Sequence, residues 1–286
     1  MKATAKILFR GGTPQVSTAR SPPISKLPQE IVEMIFSYFI HDTRTLLACS
    51  LTCYSWYIAA VSHLHYSLTT DIIYNAGREE RRHLWPKPLK KSYELGLLHL
   101  AKRFQVRLDF NYQDYQFGPD QLSERTMRYF SALTNLQELR IDFLQVSSFM
   151  PNIQRYFGHL SPTLRSLALK RPNGSCRQIL YFLGLFPNLQ DFKLERDFAG
   201  NERENAADAA LIPLSTPPLR GWLTLIRCTK GILLKDLITL FGGLRFRHMD
   251  LYGVSFVRVL LDACTRTLET LRLYPTDPCS ESFLRR

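Results

Sequence analysis

Long apolar runs are missing from this 286-residue chain. The longest, Ile179 to Phe186, falls far short of the roughly 20 residues that cross a bilayer as a helix, and no apolar signal-peptide core follows Met1. The chain is therefore read as soluble and unsecreted. Cysteine is sparse as well. Cys49, Cys53, Cys176, Cys228, Cys264 and Cys279 are scattered in apolar contexts, which excludes a disulfide scaffold and fits a reducing compartment; the expected location is the cytoplasm, the nucleus or both. Catalytic signatures are absent too: there is no G-x-S-x-G elbow, no phosphate loop and no H-E-x-x-H, and the seven histidines fall into no base or ligand pattern. No enzyme activity and no cofactor are expected. Cys49, Cys53, His63 and His65 are zinc-ligand types, but cysteines four apart in an apolar helical stripe usually pack, and His-x-His splits its rings between helix faces. No metal site is expected. Acidic residues are missing from 1–23, where Lys2, Lys6, Arg10 and Arg20 stand alone. Such a composition is shared with transit peptides, yet Gly11, Gly12 and Pro14 break an amphipathic helix, so a disordered basic tail is expected. The sequon at Asn173 reads as a turn.

Hydrophobic residues make up 45% of the chain, enough for a small domain beside a larger one. The small one lies between Ile24 and Thr70. Pro28 suits the first turn of a helix, and Leu27, Ile31, Met34, Ile35 and Tyr38 follow at helical spacing. Asp42 and Thr43 can cap a second helix carrying Leu46, Leu47, Ser50 and Leu51, and a third helix passes through Trp56, Ile58, Ala59, Val61 and Leu64. A bundle this short buries too little surface to be comfortable alone. It reads as half of an interface, against the competing reading of a cluster packed only on its own chain.

Leu27-Pro28, Ile31, Ile35, Leu46-Leu47, Cys49, Leu51, Cys53 and Trp56 stand in the order and spacing of an F-box, and the segment resembles that family. The resemblance covers about a sixth of the chain. It implies docking on the acidic linker protein Skp1, and through it on a cullin and a RING protein in an SCF-type ubiquitin ligase. Leu27, Pro28, Ile31, Ile35, Leu46, Leu47 and Leu51 carry over as the partner-facing positions. Tyr54 departs from the family, which often has a basic residue there.

Beyond residue 90 a strand pattern keeps returning, each time with a helical pattern after it. Its cores are Leu136–Ile141, Leu164–Leu169, Leu189–Leu194, Trp222–Leu225, Phe246–Leu251 and Leu268–Leu273, with an earlier member at Val106–Phe110. Taking Leu139, Leu167, Phe192, Leu223, Met249 and Leu271 as equivalent gives intervals of 28, 25, 31, 26 and 22 residues. Helices are expected at 123–133, 151–160, 176–186, 233–241 and 255–265. Most strands read L-x-x-L-x-L and resemble leucine-rich repeats, although only Cys228 conforms where regular repeats place an asparagine or cysteine. The expected fold class is α+β overall. It comprises a disordered tail over 1–23, a three-helix F-box bundle over 24–70, a linker over 71–91 and, over 92–286, an irregular leucine-rich-repeat-like α/β solenoid with a parallel sheet. A general α/β domain with a parallel sheet is the competing architecture. Residues 197–218 are expected to form a long insertion.

In such strands the residues between the leucines face away from the core. Arg140, Lys170, Lys193, Trp222, Tyr252, Arg272 and Tyr274 are the target-binding candidates among them, the aromatics as anchors. The segment 24–70 carries two basic against three acidic residues and the tail four basic, which leaves +9 for 71–286 out of the net +12. That excess points to an acidic or phosphorylated target. The basic run 78–91, with Trp85 in it, is read as the hinge; nucleic acid is the lesser reading, since Glu79 and Glu80 dilute the run. Function is accordingly expected to be that of a non-catalytic F-box substrate receptor, with an F-box scaffold acting outside any ligase as the alternative.

Overall fold

The computed structural model describes residues 27–40, 42–74, 87–110, 129–144, 146, 153–172, 174–195, 220–228 and 244–274, and the statements that follow concern these. The predicted tail, the insertion at 197–218, the helix at 233–241, Trp85 and residues 275–286 lie outside them. The chain divides into two compact units between Val61 and Ser62.

Helices α1 (Gln29–Ser37), α2 (Thr43–Ser50) and α3 (Tyr54–Leu64) follow one another in the first part of the chain. Pro28 occupies the N-cap of α1, and its carbonyl accepts the N–H groups of Ile31 and Val32 at 3.0 and 3.2 Å. Asp42 caps α2, accepting from Thr45 N–H at 3.1 Å and from the Thr45 hydroxyl at 2.7 Å. Those two bonds hold its carboxyl below the ordinary value. The core of this unit is small: Val32, Phe36, Leu46, Ala59 and Ala60 are buried, and Trp56 meets Phe36 edge to face at 5.3 Å.

The second unit is built on one eight-stranded sheet: β1 (Ser67–Tyr74), β2 (Arg103–Phe110), β3 (Glu138–Asp142), β4 (Ser166–Lys170), β5 (Asp191–Glu195), β6 (Arg220–Ile226), β7 (Arg245–Tyr252) and β8 (Thr270–Tyr274). Every pairing is parallel and the spatial order is the sequence order. Sequential parallel order means that each connection advances one strand in the same direction, unlike a doubly wound sheet, whose order reverses. The described helical connections are α4 (Lys87–Glu94), α5 (Ile153–Phe157), α6 (Cys176–Gly184) and α7 (Val257–Cys264). Serine starts α6 as the capping box requires: Gln178 N–H donates to Ser175 Oγ at 3.2 Å, and Ser175 N–H donates to Gln178 Oε1 at 3.1 Å. The predicted linker 71–91 holds the end of β1 and the start of α4.

The alternation expected of the strands is present from β3 to β7, while in β8 Leu271 is half-buried and Leu273 exposed. Leu139, Ile141, Leu167, Leu169, Phe192, Leu194, Leu223, Leu225, Met249 and Leu251 are all buried in one continuous core, with the leucines three residues upstream, Leu136, Leu164 and Leu189, beneath them. A line of edge-to-face rings crosses that core: Phe104 to Phe130 at 5.5 Å, Phe130 to Phe157 at 5.5 Å, Phe157 to Phe182 at 5.2 Å and Phe182 to Phe186 at 5.2 Å. Successive units thus share one aromatic spine. Strand β1 escapes sequence recognition because Thr70, in register with Val106, stands where the other strands carry an aliphatic residue.

Backbone bonds repeat at both ends of the strands. At the start, two consecutive N–H groups share one carbonyl of the previous strand's entry: Lys102 and Arg103 on Tyr66, Gln137 and Glu138 on Lys102, Arg165 and Ser166 on Gln137, Gln190 and Asp191 on Arg165. Asn135 and Asn188 secure two of these entries by donating to the His99 and Pro162 carbonyls at 2.9 and 3.3 Å. The matching tetrapeptides Asn135-Leu-Gln-Glu138 and Asn188-Leu-Gln-Asp191 are a repeat signal that the leucine pattern alone passes over. At the far end, Phe143, Arg171, Arg227 and Gly253 take positive φ of 64, 49, 53 and 58°. Each donates its N–H to the last carbonyl of the next strand, at 2.7, 2.9, 2.6 and 3.0 Å in that order. Cys228, the one conforming loop position, is buried and donates its thiol to the Leu194 carbonyl at 3.7 Å.

Candidate functional site

The helical unit places its apolar residues on the outside. Of the sixteen large hydrophobic side chains exposed among the described residues, eleven lie between Leu27 and Ile58. The α1 stripe expected from spacing, Leu27, Ile31, Met34, Ile35 and Tyr38, is this outer face, while the inward face is made by Val32 and Phe36. Among the positions expected to face a partner, Leu27, Pro28, Ile31, Ile35, Leu47 and Leu51 are exposed. Leu46 is corrected: at 1% exposure it is core and supports the face from beneath, whereas its neighbour Leu47 is 50% exposed and Leu51 83%. The helix turn between adjacent residues, about 100°, separates those two roles. Tyr54 and Tyr57 extend the exposed apolar set. Cys53 is exposed, with its Sγ 3.3 Å from Ser55 Oγ, and its thiol titrates below the ordinary value because of that contact and the Trp56 N–H. No group of three metal-ligating side chains occurs among the described residues.

The outward face of the sheet is ordered into three register rows. Arg103, Glu138, Ser166, Asp191, Trp222, His248 and Thr270 form the first. Gln105, Arg140, Ala168, Lys193, Thr224, Asp250 and Arg272 form the second, and Arg107, Asp142, Lys170, Glu195, Ile226, Tyr252 and Tyr274 the third. The third begins with strictly alternating charge, the arrangement that cross-strand pairing favours. Ion pairs follow from it: Lys170 with Glu195 at 3.1 Å, Arg140 with Asp142 at 3.2 Å and with Glu195 at 3.9 Å, and in the first row Arg103 with Glu138 at 2.7 Å. Partial burial raises the Glu195 carboxyl, but Lys170, Arg140 and Lys193 outweigh it and hold the group below its ordinary value. Six cations meet five carboxylates across the rows from β2 to β8, so the basic excess of the chain does not lie on this face.

The target-binding candidates therefore fall into two groups. Arg140, Lys170 and Lys193 surround Glu195 in the ion network. Trp222, Tyr252, Arg272 and Tyr274 come together on β6 to β8: the tyrosine rings stack at 4.2 Å with 3° between their planes, and the Arg272 guanidinium stands 5.8 Å from the Trp222 ring centroid. Two more residues of the outward-facing set complete this second group. The His248 ring lies 4.8 Å from that of Trp222, and Asp250 accepts the indole N–H at 3.0 Å. Gly221 makes the placement possible. It has φ of 90°, a Cβ there would sit 2.3 Å from the Gln190 carbonyl oxygen, and the register shift between Gly221 and Trp222 brings the indole opposite His248.

Residues 24–70 match the family model described as F-box-like. No curated protein matches the chain.

Proposed function

We propose that this protein is a non-catalytic F-box substrate receptor, working in the cytoplasm or nucleus. In this reading the helical unit docks on Skp1, Skp1 leads to a cullin–RING ubiquitin ligase, and the sheet unit holds the target. The observation that carries the reading is the exposed apolar face of α1 and α2, built from Leu27, Ile31, Ile35, Leu47 and Leu51 inside the F-box-like segment. Exposed apolar surface of that density marks a binding face. Further support comes from the sheet unit: its sequential parallel order, shared spine and repeated end bonds favour reading it as an irregular leucine-rich-repeat-like solenoid. Such a unit contributes proximity: it turns the attack of a target lysine on a ubiquitin-charged enzyme into an effectively intramolecular step. The receptor itself supplies no nucleophile.

A pull-down of the intact chain with recombinant Skp1 tests the first half. Binding is expected, together with its loss on combining Leu27→Ala, Pro28→Ala and Ile31→Asp; no binding, or binding unchanged in that variant, would sink the adaptor reading. Reconstitution with a cullin tests the second half. Skp1 bound without cullin recruitment, with no protein stabilised when the receptor is deleted, selects a scaffold working outside a ligase.

A further inference from the structure

We propose that the cluster around Trp222 and Asp250 receives a basic side chain, an arginine or lysine, of the bound target. The inference deepens the receptor reading, since it takes the outward sheet face as the target-holding surface. Carboxylates on that face are handled in two ways. Glu138, Asp142 and Glu195 each have a cation of the chain at salt-bridge distance. Asp191 and Asp250 have none among the described residues, and these two flank Trp222: Asp191 sits opposite it on β5, and Asp250 accepts its N–H from β7. Desolvation and the charge of Glu138 raise the Asp191 carboxyl, with His248 opposing them. A nearby cation would relieve both effects.

Asp250 is the sharper indication. Its Oδ2 is occupied by the indole N–H, while its Oδ1 is buried with no hydrogen-bond partner among the described residues. A buried carboxylate oxygen without a donor is costly, and a charged donor that displaces the side chains covering it satisfies it best. The indole beside it adds the electron-rich face on which guanidinium and ammonium groups settle. Arg272 shows that the ring is within reach of such a group: its guanidinium is 5.8 Å from the Trp222 centroid, and although the residue lies opposite Asp250 in the register, no ion pair forms between them. A phosphorylated ligand would meet Asp191, Asp250 and Glu138, which offset the pull of Arg272 and Lys193 in the same rows. Since the chain carries net +12, a basic ligand gains nothing from long-range steering, so its attraction must come from these local groups.

The experiment titrates the full-length chain with three blocked pentapeptides, Gly-Gly-X-Gly-Gly, in which X is arginine, citrulline or phosphoserine. The readout is the Trp222 indole N–H resonance, assigned with Trp222→Phe. The arginine peptide should shift that resonance saturably, and the citrulline and phosphoserine peptides should bind at least about tenfold more weakly, the size of one charge-assisted hydrogen bond. Asp250→Asn keeps an oxygen for the indole and should lower affinity for the arginine peptide about tenfold or more; Arg272→Gln should not weaken it. Preference for phosphoserine, or equal arginine binding in Asp250→Asn, overturns the proposal. Both sheet variants lie outside the F-box-like segment 24–70, so Skp1 capture by Asp250→Asn reads the receptor hypothesis separately. Lost capture with an intact peptide response sinks the receptor reading alone, and the converse sinks this inference alone.

Discussion

The helical unit and the sheet unit use apolar residues in opposite ways. In α1 to α3 a handful of buried side chains supports a larger exposed apolar set; in the sheet unit nearly every leucine of the repeating pattern is inside, and the outward rows are charged, paired and aromatic. Similar hydrophobicity is thus left at the surface in one region and turned inward in the other. What separates them is whether the apolar periodicity finds a neighbouring element of the same chain. Each sheet segment has the next to lean on, whereas three short helices run out of surface to cover their own.

Breaking the spine tests the self-sufficient side most severely. Phe182→Ala removes a ring that touches both Phe157 and Phe186 and should cost about 3–5 kcal/mol, read as a lower urea midpoint, while Skp1 capture persists in whatever protein remains folded. Next comes a pair of adjacent residues. Leu46→Ala should destabilise by about 2–5 kcal/mol, but Leu47→Ala should stay within about 0.5 kcal/mol of the parent stability and weaken Skp1 capture instead. Equal stability losses would erase the distinction between core and face. Gly221→Ala follows, at about 1–3 kcal/mol for backbone forced into an unfavourable region; the Trp222 indole resonance should move while the α1 resonances do not.

The smallest effect is one of pH. His159 donates Nε2–H to the Phe130 carbonyl at 2.9 Å, and burial holds its imidazole below the ordinary value despite that bond. A folded-state value under the unfolded one, near 6.5, means that the unfolded chain binds the proton first. Stability is then unaffected well above pH 6.5 and declines as pH falls through that value. Denaturation midpoints at pH 7.5 and 5.5 should diverge in the parent and diverge less in His159→Gln, where half-buried His65, also held below its ordinary value, keeps its share.

Leucine spacing made β3 to β8 legible, because L-x-x-L-x-L encodes both the strand and its inward face. The same logic missed β1, where Thr70 replaces the aliphatic residue, and it found the outer stripe of α1 but not the inner one. A spacing rule identifies one apolar face of a helix, but Val32 and Phe36 form a second, and only packing tells which is covered. The outward candidates were legible one strand at a time. Their division into an ion network and an aromatic cluster was not, because it depends on which strand residues share a register row. Asp250 acquires its role only once Trp222 is placed opposite His248. That placement rests on a glycine whose requirement for positive φ leaves no mark on hydrophobic periodicity.

The four left-handed residues that close the strands, Phe143, Arg171, Arg227 and Gly253, have a kinetic consequence. Their amide protons lie in a single line, each bonded to the carbonyl of the strand ahead, so each can exchange with solvent only when the following strand lets go. Gly253 is held by β8, the last of the described strands, and Phe143 by β4 in the sheet interior. Exchange rates along this line would therefore record fraying strand by strand, fastest at Gly253 and slowest toward Phe143, and a target that clamps β6 to β8 together would flatten the gradient.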